Sequence, residues 1–127
     1  THKRNYKIED LFYRKDRVKK PDTIFKCHTI TNSMGWCNNH NDKKNYNKLI
    51  NIKKVNKYEK LYRRDYKYDY LIPIQYNTKK REIGKGSAIF IHLTKNYKST
   101  AGCIALKKND FLILLRLIKK NSNIIIY

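Results

Sequence analysis

The stretch Ala88-Ile89-Phe90-Ile91-His92 is apolar on both alternating faces until it reaches an imidazole, and Asn109-Asp110-Phe111-Leu112-Ile113-Leu114-Leu115 follows further along the chain. Apolar residues on both faces predict a strand buried on two sides, with His92 at its exit. In the second stretch Asn109 reads as an N-cap and Asp110 as a first-turn acid. Phe111, Leu112, Leu114, Leu115 and Ile118 form a wide apolar face, with Lys119 and Lys120 near the C-terminal end. The pair predicts a mainly β domain with one packed helix.

Working outward, Asp69-Tyr70-Leu71-Ile72-Pro73-Ile74-Gln75-Tyr76 is rich in aromatic and β-branched residues and predicts a strand. Pro73 cannot donate to a ladder, so it predicts an edge or a bulge. Gly84-Lys85-Gly86-Ser87 and Asn121-Ser122-Asn123 read as turns, and Ile124-Ile125-Ile126-Tyr127 as a terminal strand that needs a sheet to join. The first forty residues read as irregular, with Tyr6-Lys7-Ile8 and Leu11-Phe12-Tyr13 as short strand pieces and Lys20-Pro21-Asp22 as a turn. Asn38 to Lys48 reads as a solvated polar loop. Lys57 to Tyr70 supports no more than a weak helix, with Leu61 and Tyr62 as its inward anchors.

The chain has 127 residues, which is one domain, residues 1–127, with a single core. Its 40% hydrophobic and 13% aromatic content argues against disorder despite 31% charged residues. The net charge of +20 makes a polyanion the first partner class to consider. Lys, Asn, Ile and Tyr dominate together, however, a bias that an AT-rich genome imposes on any protein. No stretch reaches the roughly 20 apolar residues of a membrane-spanning helix, and no basic-then-apolar leader opens the chain. Because the first residue is Thr1 and not Met, either a leader or an upstream part of the domain is expected to be missing. Cys27, Cys37 and Cys103 include no C-x-x-C pair and make no disulfide framework. Cys27, His28, Cys37 and His40 can be written as a zinc set, but adjacent Cys27 and His28 lack zinc-ligand spacing, so neither a metal nor an organic cofactor is expected.

Chemistry concentrates in Ser99-Thr100-Ala101-Gly102-Cys103-Ile104-Ala105-Leu106, between the buried strand and the helix. Small neighbours leave room for a substrate at Cys103, and the backbone N–H groups of Gly102 and Cys103 could face a developing oxyanion. The ten residues between His92 and Cys103 suffice for the chain to turn back and set imidazole beside thiol. A thiol is mostly protonated at neutral pH; an imidazole within reach holds its proton, leaves a thiolate, and later returns the proton to a leaving amine. The structural alternatives are ordinary ones, because a lone cysteine is more often a small buried hydrophobe and a strand-end histidine more often a structural one.

From Ile89 to Leu117 a buried strand ending in His, a polar loop, T-A-G-C-I-A-L and an amphipathic helix resemble the YkuD-type L,D-transpeptidase catalytic domain. Upstream, Gly35-Trp36-Cys37-Asn38-Asn39, Tyr46-Asn47, Leu61-Tyr62-Arg63-Arg64-Asp65, Tyr68-Asp69 and Gly84-Lys85-Gly86-Ser87-Ala88-Ile89-Phe90-Ile91-His92 are similar to landmarks of one branch of that family. The resemblance implies a β-sandwich or barrel domain with Cys103 as nucleophile and His92 as general base and acid. It further implies oxyanion donors around Gly102, with Thr100 supporting the loop. Thr100, Ala101 and Ala105 stand where the family usually has Ser, His and Arg, and are read as branch variation. Implied in turn are peptidoglycan stem peptides as partner and an extracytoplasmic location. Two other readings compete. Tyrosines interleaved with Lys and Arg, as in Tyr62-Arg63-Arg64-Asp65-Tyr66-Lys67-Tyr68, could bind nucleic acid, although no nucleic-acid motif is present and none is expected as partner. The chain could also be an inactive wall-binding relative.

Overall fold

The central strands of this chain are buried on both faces, and pairing across the sheets extends the shorter ones. In the computed structural model, which describes residues 4–79, 81–96 and 104–126, the elements run in order as follows. The strands before the helix are β1 (Arg4–Lys7), β2 (Asp10–Tyr13), β3 (Lys26–Thr29), β4 (Met34–Cys37), β5 (Leu49–Asn51), β6 (Tyr58–Lys60), β7 (Tyr70–Pro73), β8 (Phe90–Leu93) and β9 (Ile104–Leu106). The helix α1 (Lys108–Leu117) and strand β10 (Asn123–Ile126) complete the described chain.

A mixed five-stranded sheet in the order β3-β2-β7-β8-β9 forms the centre, with β2/β3 and β8/β9 parallel and the other pairs antiparallel. Side chains alternate across it, so its two faces bury different sets. One face sends Leu11, Tyr13, Tyr70, Ile72, Ile91 and Leu93 against Phe111, Leu115 and Ile118 of the helical segment. The other sends Phe12, Leu71 and Phe90 against Ile30, Leu61 and Tyr68, backed by Met34 and Trp36 from the three-stranded sheet β5-β4-β6. Two stacked sheets and one α-helix among the described residues make a β-sandwich-like domain. The terminal strand β10 pairs antiparallel with β1, which supplies the sheet its isoleucines require.

The doubly buried strand is displaced from its expected place. It spans Phe90–Leu93, with all four residues buried, and not Ala88–His92. Ala88 has φ 55°, a left-handed conformation that no strand residue adopts, so the chain enters β8 only after it. His92 therefore lies one residue inside the strand. Pro73 closes an interior strand, yet the bulge reading holds. Between the pair Phe12↔Leu71 and the bridge Lys7↔Gln75 one strand advances by five residues and the other by four. The missing donor of Pro73 falls within that irregularity.

Other expectations are corrected. The first forty residues contain β3 and β4 as well as the two expected strand pieces. Gly35 sits in β4 because a Cβ there would stand 2.8 Å from Ile52 Cγ2 and 3.0 Å from the Tyr58 ring. Lys57 to Tyr70 holds no helix; Tyr58–Lys60 is a strand and turns follow. Helix α1 starts earlier than Asn109 predicts. Its N-cap is Lys107, whose ammonium can only donate and so makes no side-chain cap of its own, while Asp110 does lie in the first turn. The turn after the helix is closed by Ser122, whose N–H donates to Lys119 O and whose hydroxyl accepts from Lys119 N.

The helix offers a direct test. Leu115 is fully buried and Ile113 on the opposite side is 52% exposed. Leu115→Ala is expected to lower unfolding free energy in urea by about 2–5 kcal/mol, and Ile113→Ala to stay within about 0.5 kcal/mol.

Candidate functional site

His92 stands on the sheet face away from α1, because its register partners are Leu71 on β7 and Ala105 on β9. It is 7% exposed. Its Nδ1 lies 2.9 Å from Leu93 O. A carbonyl can only accept, so Nδ1 carries the proton in this arrangement. With one N–H on Nδ1, the ring would have Nε2 as the atom that can take a proton.

The wall beside this imidazole is aromatic. Trp36 meets Phe90 edge to face at 5.3 Å, Phe90 meets Tyr68 at 5.7 Å, and Tyr68 meets His92 at 5.8 Å. Trp36 is oriented by Asn47, which is buried in the left-handed region at φ 57°. Asn47 Oδ1 accepts from Trp36 Nε1 at 2.8 Å and from the Ala88 N–H at 3.2 Å. Its Nδ2 donates to Tyr76 O and Asn77 O at 2.9 and 2.6 Å. The neighbouring Tyr46 hydroxyl accepts from the Gly84 and Gly86 N–H groups, each at 3.3 Å. The polar segment Asn38–Lys48 is therefore not merely a solvated connection; its last turn ties β4 to the entrance of β8.

A second brace holds Leu61–Asp69. Buried Arg14 forks onto Asp16 at 2.9 and 2.7 Å, donates to Arg63 O at 2.6 Å and stacks on the Tyr62 ring at 3.6 Å. Arg17 donates to Asp65 O and Arg64 O. Arg63 forks onto Asp65 at 2.8 and 2.6 Å. Hydrogen bonds from Arg14 hold the Asp16 carboxyl down at about 2 from its ordinary 3.8, and those from Arg63 do the same for Asp65. Both carboxylates thus favour the folded state above their ordinary value, and that contribution is lost as pH falls through about 2.

Of the residues the sequence singles out, His92 is placed as described, whereas Cys103, Gly102 and Thr100 lie outside the described residues. The zinc set is not assembled, since no group of three possible ligands is drawn together among the described residues. Cys37 is fully buried in β4. Cys27 bonds Phe25 O at 3.5 Å, and burial pushes its thiol up, away from the thiolate a metal requires. His28 instead pairs with Asp10 at 2.9 Å and stacks on Phe12. Reasoning from sequence quotes Tyr46, Asn47 and Tyr68 only as landmarks and gives them no role. The left-handed preference of Asn before a strand-bound loop is the one local signal for Asn47.

Fold and site together define a β-sandwich domain arranged around an orientated, buried imidazole on an interior strand. The chain belongs to the YkuD family, the L,D-transpeptidase catalytic domain, which matches residues 5–126. Neither the curated proteins nor the solved structures compared with it gave a match. Membership assigns the chain L,D-transpeptidase-type function in general, in a family that acts on peptidoglycan and is extracytoplasmic in general. No helix among the described residues is long and apolar enough to cross a membrane.

Asn47→Ala removes the acceptor shared by the Trp36 and Ala88 N–H groups and is expected to cost about 3 kcal/mol in urea unfolding; Asn47→Asp keeps that acceptor but sets a carboxylate oxygen against the Tyr76 and Asn77 carbonyls, and should cost at least as much. In acid, wild-type stability should fall from pH 3.8 towards about 2, and Asp65→Asn should flatten that profile. A profile unchanged by Asp65→Asn would remove the carboxylate from the account.

Proposed function

We propose that this domain is a cysteine-dependent L,D-transpeptidase, transferring acyl groups between peptidoglycan stem peptides through a thioester on Cys103, with His92 as general base and acid. The observation that carries this reading is the His92 bond to Leu93 O, which leaves Nε2 as the proton acceptor. It is supported by the start of β9 one residue after Cys103 in sequence and by the pairing of Ala105 with His92. Family membership supplies the substrate class.

In this mechanism Nε2 takes the Cys103 thiol proton, and the thiolate attacks the carbonyl of the stem-peptide bond that follows an L-centre. The backbone N–H groups of Gly102 and Cys103 hold the oxyanion, with the Thr100 hydroxyl supporting their loop. Collapse breaks the C–N bond, Nε2–H protonates the departing D-alanine amine, and the thioester remains. An acceptor amine from a neighbouring stem then attacks, gives its proton to Nε2, and releases the Cys103 thiolate. Water in place of the amine gives hydrolysis.

Intact-mass spectrometry after incubation with a carbapenem tests the nucleophile. Wild type is expected to gain one adduct, Cys103→Ala none, and His92→Ala an adduct formed on the order of 100-fold more slowly, the size of a general-base contribution. A folded wild type that gains no adduct would leave a non-catalytic wall-binding relative or a nucleic-acid binder as the better account. Sacculus binding, and RNA binding that weakens steeply with salt, would separate those two.

A further inference from the structure

Tyr68 is buried against His92, and the acyl-transfer chemistry gives it no part. Its ring stands edge-on to the imidazole at 5.8 Å and 66°, and edge-on to Phe90 at 5.7 Å, two residues earlier on the same strand face. Among the described residues, two groups hold its side chain and a third holds its backbone neighbour. The hydroxyl donates to Glu59 Oε1 at 2.9 Å, the Arg63 guanidinium lies over the ring at 5.1 Å, and the Leu93 N–H binds Lys67 O at 2.9 Å, pinning the preceding residue to the end of β8. The anchors are anchored in turn, because Arg63 donates to Glu59 at 3.3 Å and forks onto Asp65.

The bond from Nδ1 to Leu93 O joins adjacent residues, so it constrains the imidazole only as far as that side chain's own torsions are constrained. The χ2 torsion of histidine is broad and roughly two-fold, and a half-turn about it exchanges the ring edge facing the carbonyl. Something outside the strand must hold the plane. We propose that Tyr68, gripped at its hydroxyl by Glu59 and across its face by Arg63, is a positioning residue that locks the His92 ring with Nδ1–H on Leu93 O. The proposal deepens the reading of His92 as proton acceptor and rests on it for its effect on rate. The state of the ring itself can be measured without any reaction.

The test compares wild type with Tyr68→Phe, Tyr68→Leu and Glu59→Gln, using the nitrogen–proton NMR correlations of the His92 imidazole and the second-order rate of carbapenem acylation. Thermal melting checks folding. Wild type should show a single sharp Nδ1–H tautomer. Tyr68→Leu should show exchange between tautomers or loss of the Nδ1–H signal, with acylation slowed about 10- to 100-fold, the scale of a misplaced catalytic group. Tyr68→Phe, which keeps the ring but loses the Glu59 bond, should fall between the two, and Glu59→Gln, which keeps an acceptor for the hydroxyl, should lie nearer wild type. A folded Tyr68→Leu protein with one sharp Nδ1–H tautomer and wild-type acylation overturns the proposal. If Tyr68→Leu does not fold, the double variant Tyr68→Phe/Glu59→Gln decides: a broadened Nδ1–H signal supports the proposal and an unchanged one overturns it. A wild type that is not acylated defeats the Cys103 mechanism, while the tautomer measurement still decides the role of Tyr68.

Discussion

The Asn47 side chain is the point through which the two sheets hold their relation. One carboxamide receives an indole N–H from β4 and a backbone N–H from Ala88, and donates to two carbonyls that follow β7. Few side chains could do this. Asp lacks the donors, Gln is a methylene too long for the same reach, and most residues resist the φ of 57° that points the carboxamide inward. Each bond is worth only about 1 kcal/mol net, but a buried partner left unmade costs about 1–3 kcal/mol, so these groups stand or fall together.

From that point order passes to His92 by contact. Trp36, oriented by Asn47, packs on Phe90; Phe90 packs on Tyr68; Tyr68 packs on the imidazole. Edge-to-face pairs contribute about 0.5–1.5 kcal/mol each beyond burial and also restrict ring rotation. The Ala88 conformation belongs to the same arrangement, since its N–H meets Asn47 only because the chain delays its entry into β8. A buried imidazole inside a strand would otherwise be an unfavourable choice. Here its one committed nitrogen is satisfied by the neighbouring carbonyl, and the Tyr68 ring packs edge-on against the imidazole.

What could be read from the sequence follows from how local its cause is. The buried strand, the helix face and the terminal strand are written in runs of apolar residues, and they appear within a residue or two of their expected places. Strands β3 to β6 are only three or four residues long, too short for a two-residue period to stand out in the sequence. Pairing across the sheets makes them extended. The Asn109 cap failed for a related reason: the path out of β9 brings Lys107 to the helix entrance regardless of capping preference. In the site, His92 was legible because it ends an apolar run. Its partners were not. Glu59, Tyr68 and Asn47 lie far from it in sequence, inside stretches whose polarity suggested solvent.

Charge explains why such internal ties matter in this chain. With a formal charge of +20, the lysines repel one another and oppose compaction. The carboxylates could have been scattered to neutralise them, but several are paired with arginines: Asp16 with Arg14, Asp65 and Glu59 with Arg63, Asp69 with Arg17. Arginine suits this because its planar fork takes both carboxylate oxygens while its remaining N–H groups reach backbone carbonyls, as Arg14 and Arg17 do. Surface pairs of this kind contribute about 0–1 kcal/mol each, so they cannot cancel the repulsion. Their effect is geometric. They hold Leu61–Asp69 against the segment that follows β2, and with it the tyrosine that faces His92, so that a basic surface and a positioned imidazole coexist in one small domain.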